Sequence, residues 1–135
     1  MKELKIEART ENLNQVMAFV DESLEEAGCS MKAQIQIDVA VEEVFVNIAQ
    51  YAYAPGTGEA VIRVETEKNP GTVEIVFIDS GVPFNPLAVK EPDVTLSASD
   101  RKIGGLGIFM VKKSMDDVTY EYVDKKNILT IKKNF

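Results

Sequence analysis

The chain has 135 residues, of which 45% are hydrophobic and 27% charged, with a formal net charge of −7. That length suits one globular domain, residues 1–135, burying roughly two-thirds of its unfolded surface. The acidic balance excludes the clustered Lys and Arg that binding to a phosphate backbone uses, so no direct nucleic-acid partner is expected. Cys29 is the only cysteine, which rules out a disulfide within the chain. The N-terminal stretch lacks a signal-peptide core and no apolar run approaches the ~18 to 20 residues of a membrane helix, so a soluble, cytoplasmic protein without membrane contact is expected.

Leu4 to Ala8 reads as a first strand, and Thr10 as the cap of a helix whose apolar positions Leu13, Val16, Met17, Val20 and Leu24 follow the 3.6-residue period. Gly28 ends that helix. Ser30 opens a second, long one that runs through "MKAQIQIDVAVEEVFVNIAQYA" to the cluster of Pro55, Gly56 and Gly58. "EAVIRVETE" and "TVEIVFID" alternate about an "NPG" turn and predict a hairpin. A stretch rich in Pro, Ser and Asp follows as far as Lys102, without periodicity; loops of that length are commonly functional or disordered. A third helix is predicted from Leu106 to Met115, and "DVTYEYV" and "NILTIKKNF" close the chain as a strand pair. Strands and helices grouped in this order favour an α+β, two-layer sandwich: a mostly antiparallel mixed sheet with three helices on one face.

Three constellations carry chemistry. In "VEEVFVN", Glu43 and Asn47 are four apart and share a helix face, while Val44, Phe45 and Ile48 turn toward the sheet. The carboxamide oxygen suits a hard cation such as Mg²⁺, and the carboxylate suits a general base; equally, both side chains could stand on a solvated face. In "FIDSGVPFNP", strand parity puts Asp79 on the side of Val73, Ile75 and Phe77, where a buried acid needs a partner. An exocyclic amino group such as that of adenine would serve, with Gly81 letting a flat ring approach, but Asp-Ser-Gly is also an ordinary turn. In "KIGGLGIFMVKK", glycines precede a helix. The spacing fits neither the phosphate-binding P-loop nor the dinucleotide fingerprint. Outward-facing amides at a helix start suit a phosphate chain, and close packing of the loop on the sheet is the other reading.

Taken in order, these motifs resemble the gyrase, histidine-kinase and MutL type of ATPase (GHKL, or Bergerat, ATP-binding fold). "EVFVN" looks like its N box, "DSGVPF" its first glycine box, Leu87 to Lys102 its ATP lid and "GGLG" its second glycine box. "D-x-G-x-P-F-x-P" and "GGLGIFMVKKSMDDVTYEY" are similar, more narrowly, to bacterial anti-sigma-factor serine kinases. The resemblance implies Mg²⁺ and ATP as cofactors. It implies that Glu43 is the general base and Asn47 the Mg²⁺ ligand, that Asp79 and Gly81 hold the adenine, and that backbone amides of Gly104, Gly105, Leu106, Gly107 and Ile108 bind phosphates. The partners it implies are a STAS-type anti-sigma-factor antagonist, phosphorylated on serine, a sigma factor, and a second copy of the chain in a homodimer.

Two positions depart from that pattern. Tyr51 stands where such kinases often carry histidine, and Lys126-Asn127 where a Gly-Thr pair is frequent. They keep open an alternative: a non-catalytic, nucleotide-sensing module that sequesters a protein partner. The chain has no histidine at all, so it has no histidine of its own to autophosphorylate.

Overall fold

The computed structural model describes residues 1–68, 70–88 and 105–135. Alternation of buried and exposed positions defines five strands: β1 (Lys2–Glu7), β2 (Glu59–Glu67), β3 (Thr72–Asp79), β4 (Asp117–Val123) and β5 (Lys126–Asn134). They form one sheet in the order β1-β2-β3-β5-β4. Each of its four pairings is antiparallel, so the mixed component expected from the sequence is not seen among the described residues.

The β4–β5 hairpin turns at Asp124 and Lys125, with φ of 54° and 63°. Two left-handed residues in succession match the right-handed twist of the strands that they join. The turn leaves β5 between β3 and β4, and so sets the first residues of β5 against the end of β3.

One face of the sheet carries Ile62, Ile75, Phe77 and Ile131, each 0–1% exposed. Against it lie α1 (Leu13–Glu26), α2 (Met31–Asn47) and α3 (Gly105–Ser114), which add Val16, Val20 and Leu24, then Ile37, Val41 and Phe45, then Val111 to the same core. Burying a side chain of this size contributes about 1.5 to 3 kcal/mol. The sandwich with three helices on one face is thus the observed architecture. The other face holds half-buried Val61, Val76, Ile78 and Ile128.

Helix ends follow the local chemistry, with one difference. Gly28 stops α1 with φ of 74°, a conformation that costs glycine little, and Ser30 Oγ accepts the Ala33 amide at 3.3 Å to start α2. Thr10 does not cap α1: a 3₁₀ turn over Thr10–Asn12 intervenes, and its hydroxyl lies one turn too early. Beyond Asn47, α2 widens into a single π turn, Ile48–Ala52.

Asp21 of α1 and Asp38 of α2 face each other across the seam between these helices. Each has a buried Oδ1 with no hydrogen-bond partner among the described residues. Burial, then the Asp21 carboxyl and Glu25, push the Asp38 carboxyl up to about 7.

Candidate functional site

The inward row of β3 ends at Asp79, which is 6% exposed. Its register neighbours are Ala60 on β2 and Asn127 on β5. A buried carboxylate is costly unless donors reach it, and two do: the Gly81 amide and Asn127 Nδ2 each donate to Asp79 Oδ1 at 2.9 Å. Oδ2 accepts no bond among the described residues.

Asn127 is itself 7% exposed. Its Nδ2 also donates to the Val82 carbonyl at 2.9 Å, and its Oδ1 accepts from the Phe84 amide at 3.2 Å and from the Tyr120 hydroxyl. The last hairpin thereby holds the segment from Asp79 to Phe84.

A second set of bonds holds that segment from the α2 side. The Tyr53 hydroxyl accepts from the Ser80 amide at 2.7 Å and donates to the Glu59 carbonyl at 2.6 Å. The Val82 amide donates to the Ala52 carbonyl at 2.9 Å. Gly81 lies so close to this π turn that a Cβ would overlap the Ala52 carbonyl. The glycine allows two backbone segments to meet, a need that the sequence reading did not give it.

Asn47 stands five residues before Ala52 and Glu43 four residues before Asn47; they are the pair read from "VEEVFVN". Asn47 Nδ2 donates to Glu43 Oε1 at 3.2 Å. Both residues are half-buried, so they do not stand on a fully solvated face. Burial raises the Glu43 carboxyl above its ordinary value; the Asn47 hydrogen bond opposes this, and the neighbouring charge of Glu42 adds to it. Val44, Phe45 and Ile48 point into the core, as the spacing predicts.

Donation by Nδ2 turns Asn47 Oδ1 away from Glu43, and that oxygen accepts no bond among the described residues. A neutral oxygen of this kind fits Mg²⁺, which takes few protein ligands and keeps several waters. Among the described residues no group of three or more His, Cys, Asp or Glu could hold a metal.

The glycine-rich stretch is described only in part. Gly104 and nearly all of the expected lid, from residue 89 onward, lie outside the described residues. Gly105, Leu106 and Gly107 form the first turn of α3, whose leading amides have no partner within the helix. Ile108 is 8% exposed, its side chain in the core, so only its backbone can face a ligand. α3 packs on α2, the helix that bears Glu43 and Asn47.

Sequence reading gives Asn127 only as a departure from the family's Gly-Thr pair, without its contact to Asp79, and misses Tyr53 and Tyr120. A signal existed for the first: Asn127 shares parity with Leu129 and Ile131, as Asp79 does with Ile75 and Phe77. Two polar residues closing inward rows of adjacent strands are a detectable pair once strand order is known.

The α+β sandwich is consistent with the family that the sequence matches. Residues 6–133 match the histidine kinase-like ATPase domain, and the chain belongs to that family. It is 30% identical to the serine-protein kinase RsbW of Listeria monocytogenes (strain EGD-e) over 110 residues, covering 78% of this chain and 69% of the relative. RsbW of Bacillus mycoides is 25% identical over 134 residues, 96% of this chain and 82% of the relative. The serine/threonine-protein kinase BtrW of Bordetella bronchiseptica is 24% identical over 102 residues, 76% of this chain and 71% of the relative.

Proposed function

We propose that the chain is an Mg·ATP-dependent serine-protein kinase that phosphorylates a STAS-type anti-sigma-factor antagonist and, in another state, holds a sigma factor. The observation that carries this reading is the hydrogen-bonded, half-buried Glu43–Asn47 pair on α2. The names of the relatives, serine-protein kinases, support it.

Glu43 is the general base: its carboxylate takes the proton of the incoming serine hydroxyl, and burial raises its basicity toward that task. Asn47 fixes Glu43 through Nδ2 and offers Oδ1 to the metal. Mg²⁺, when bound, neutralises charge on the phosphates being transferred. Asp79 accepts the exocyclic amino group of adenine, and amides from Gly104 to Ile108 hold the phosphates. Phosphoryl transfer asks mainly for such positioning. The half-buried apolar residues on the outer sheet face, Val61, Val76, Ile78 and Ile128, support a homodimer.

The test is transfer from γ-labelled ATP to the cognate antagonist. Phosphoserine should appear with the wild type and disappear in Glu43→Gln, with ATP binding retained. The acid limb of the rate profile should lie above the ordinary carboxylate range, because the base must be ionised. Normal ATP binding with no phosphoserine on any antagonist would overturn catalysis in favour of a nucleotide-sensing module, the reading that exposed Tyr51 keeps open.

A further inference from the structure

Asn127 has an amide orientation that its surroundings dictate. On one side stand two pure acceptors, Asp79 Oδ1 and the Val82 carbonyl, each 2.9 Å from Nδ2. On the other, the Phe84 amide at 3.2 Å and the Tyr120 hydroxyl both donate to Oδ1. A flipped amide would set its carbonyl against a carboxylate and its NH₂ against a backbone N–H. The side chain is therefore a fixed clamp, with its polar groups engaged and 7% of its surface exposed.

The clamp and the Gly81 amide both act on Oδ1 of Asp79. The carboxylate cannot rotate without giving up bonds to a charged acceptor, which are among the stronger hydrogen bonds in proteins. Oδ2 is consequently presented in one direction, as an acceptor only. An acceptor held this way receives the amino group of a 6-aminopurine and opposes the carbonyl of a 6-oxopurine.

We infer that Asn127 is the positioning residue for base selectivity: it acts through Asp79, 48 positions away in sequence, and fixes which carboxylate oxygen meets the ligand. The inference rests on the nucleotide site proposed above and adds to it a residue that touches no substrate atom.

The experiment titrates ATP and GTP into the full-length chain by calorimetry, for wild type, Asn127→Ala and Asn127→Asp, at pH 8 and pH 5.5. Wild type should prefer ATP. Asn127→Ala should weaken ATP about tenfold, the size of one lost bond to a charged group, and leave GTP nearly unchanged, so that the preference collapses. Asn127→Asp sets a second carboxylate against the first. Its ATP affinity relative to wild type should be down at least about tenfold at pH 8 and recover toward parity at pH 5.5, where the pair shares a proton. A merely structural residue would weaken ATP and GTP alike, so the ATP:GTP ratio of each variant separates the two roles. A folded Asn127→Ala with its ATP:GTP ratio within about twofold of wild type, or an Asn127→Asp whose relative affinity ignores pH, would overturn the inference and leave the nucleotide site standing. Should Asn127→Ala fail to fold, the pH arm decides. A wild type that binds neither nucleotide would remove the proposed site and this inference together.

Discussion

Replacing Asp38 by asparagine should stabilise the protein at neutral pH, and the size of the effect follows from the α1–α2 seam. Asp38 is pushed up to about 7 by burial first and by Asp21 and Glu25 next, against an ordinary value of 3.8. No donor among the described residues reaches the buried Oδ1 of either Asp21 or Asp38, so the folded pair is satisfied when it shares a proton. The unfolded chain has released that proton above about pH 4. Folded protein thus binds more protons than unfolded between about pH 4 and 7, and stability falls as pH rises through that window. The whole interval would be worth about 4 kcal/mol; because the pair is partly exposed, solvent screening reduces this to about 1 to 2 kcal/mol. For a chain of this size that is a shift of about 4 to 8 °C in melting temperature. The Asp38→Asn amide donates to Asp21 at any pH, so the variant should melt about 4 to 8 °C above wild type at pH 8 and close to it at pH 4. Thermal unfolding followed by circular dichroism across that range reads the difference, and the absence of histidine leaves few other groups to titrate between pH 5 and 7. A difference between variant and wild type that stays constant from pH 4 to 8 would refute the shared proton.

Three further outcomes are expected. Mg·ATP at ~100 times its dissociation constant should stabilise wild type by about 2.7 kcal/mol, read as a rise in melting temperature, and Asp79→Asn should remove that rise. Gly81→Ala should cost about 1 to 3 kcal/mol in urea unfolding, since its Cβ meets the Ala52 carbonyl and strains the Val82–Ala52 bond; an unchanged midpoint would mean that the π turn yields freely. Tyr53→Phe leaves the Ser80 amide and the Glu59 carbonyl without their hydroxyl; it should lower stability by about 1 kcal/mol and speed exchange of the Ser80 amide, measured by NMR.

Much of the frame was legible because it is written in local periodicity. Alternation in "TVEIVFID" places Val73, Ile75 and Phe77 inward and carries Asp79 with them, and the i,i+4 spacing of Glu43 and Asn47 puts both on one face of α2; both hold in the structure. Gly28 and Ser30 mark a helix end and a helix start through backbone freedom and side-chain acceptance, which depend on immediate neighbours alone.

Pairings between distant segments were decided by the tertiary structure. No local rule says that β5 rather than β4 lies beside β3, yet that order alone brings Asn127 to Asp79. Nor does the sequence indicate that Gly81 yields space to Ala52, that Tyr53 bridges Ser80 and Glu59, or that two acids meet between α1 and α2. Side-chain period and turn chemistry are short-range and depend on a few neighbours; register, close backbone approach and desolvation of a charge depend on what the rest of the chain packs against it. Sequence by itself therefore determined the elements, their inward faces and the candidate pair on α2. The sheet order and the packing of α2 determined which oxygen of Asp79 is held by the described residues.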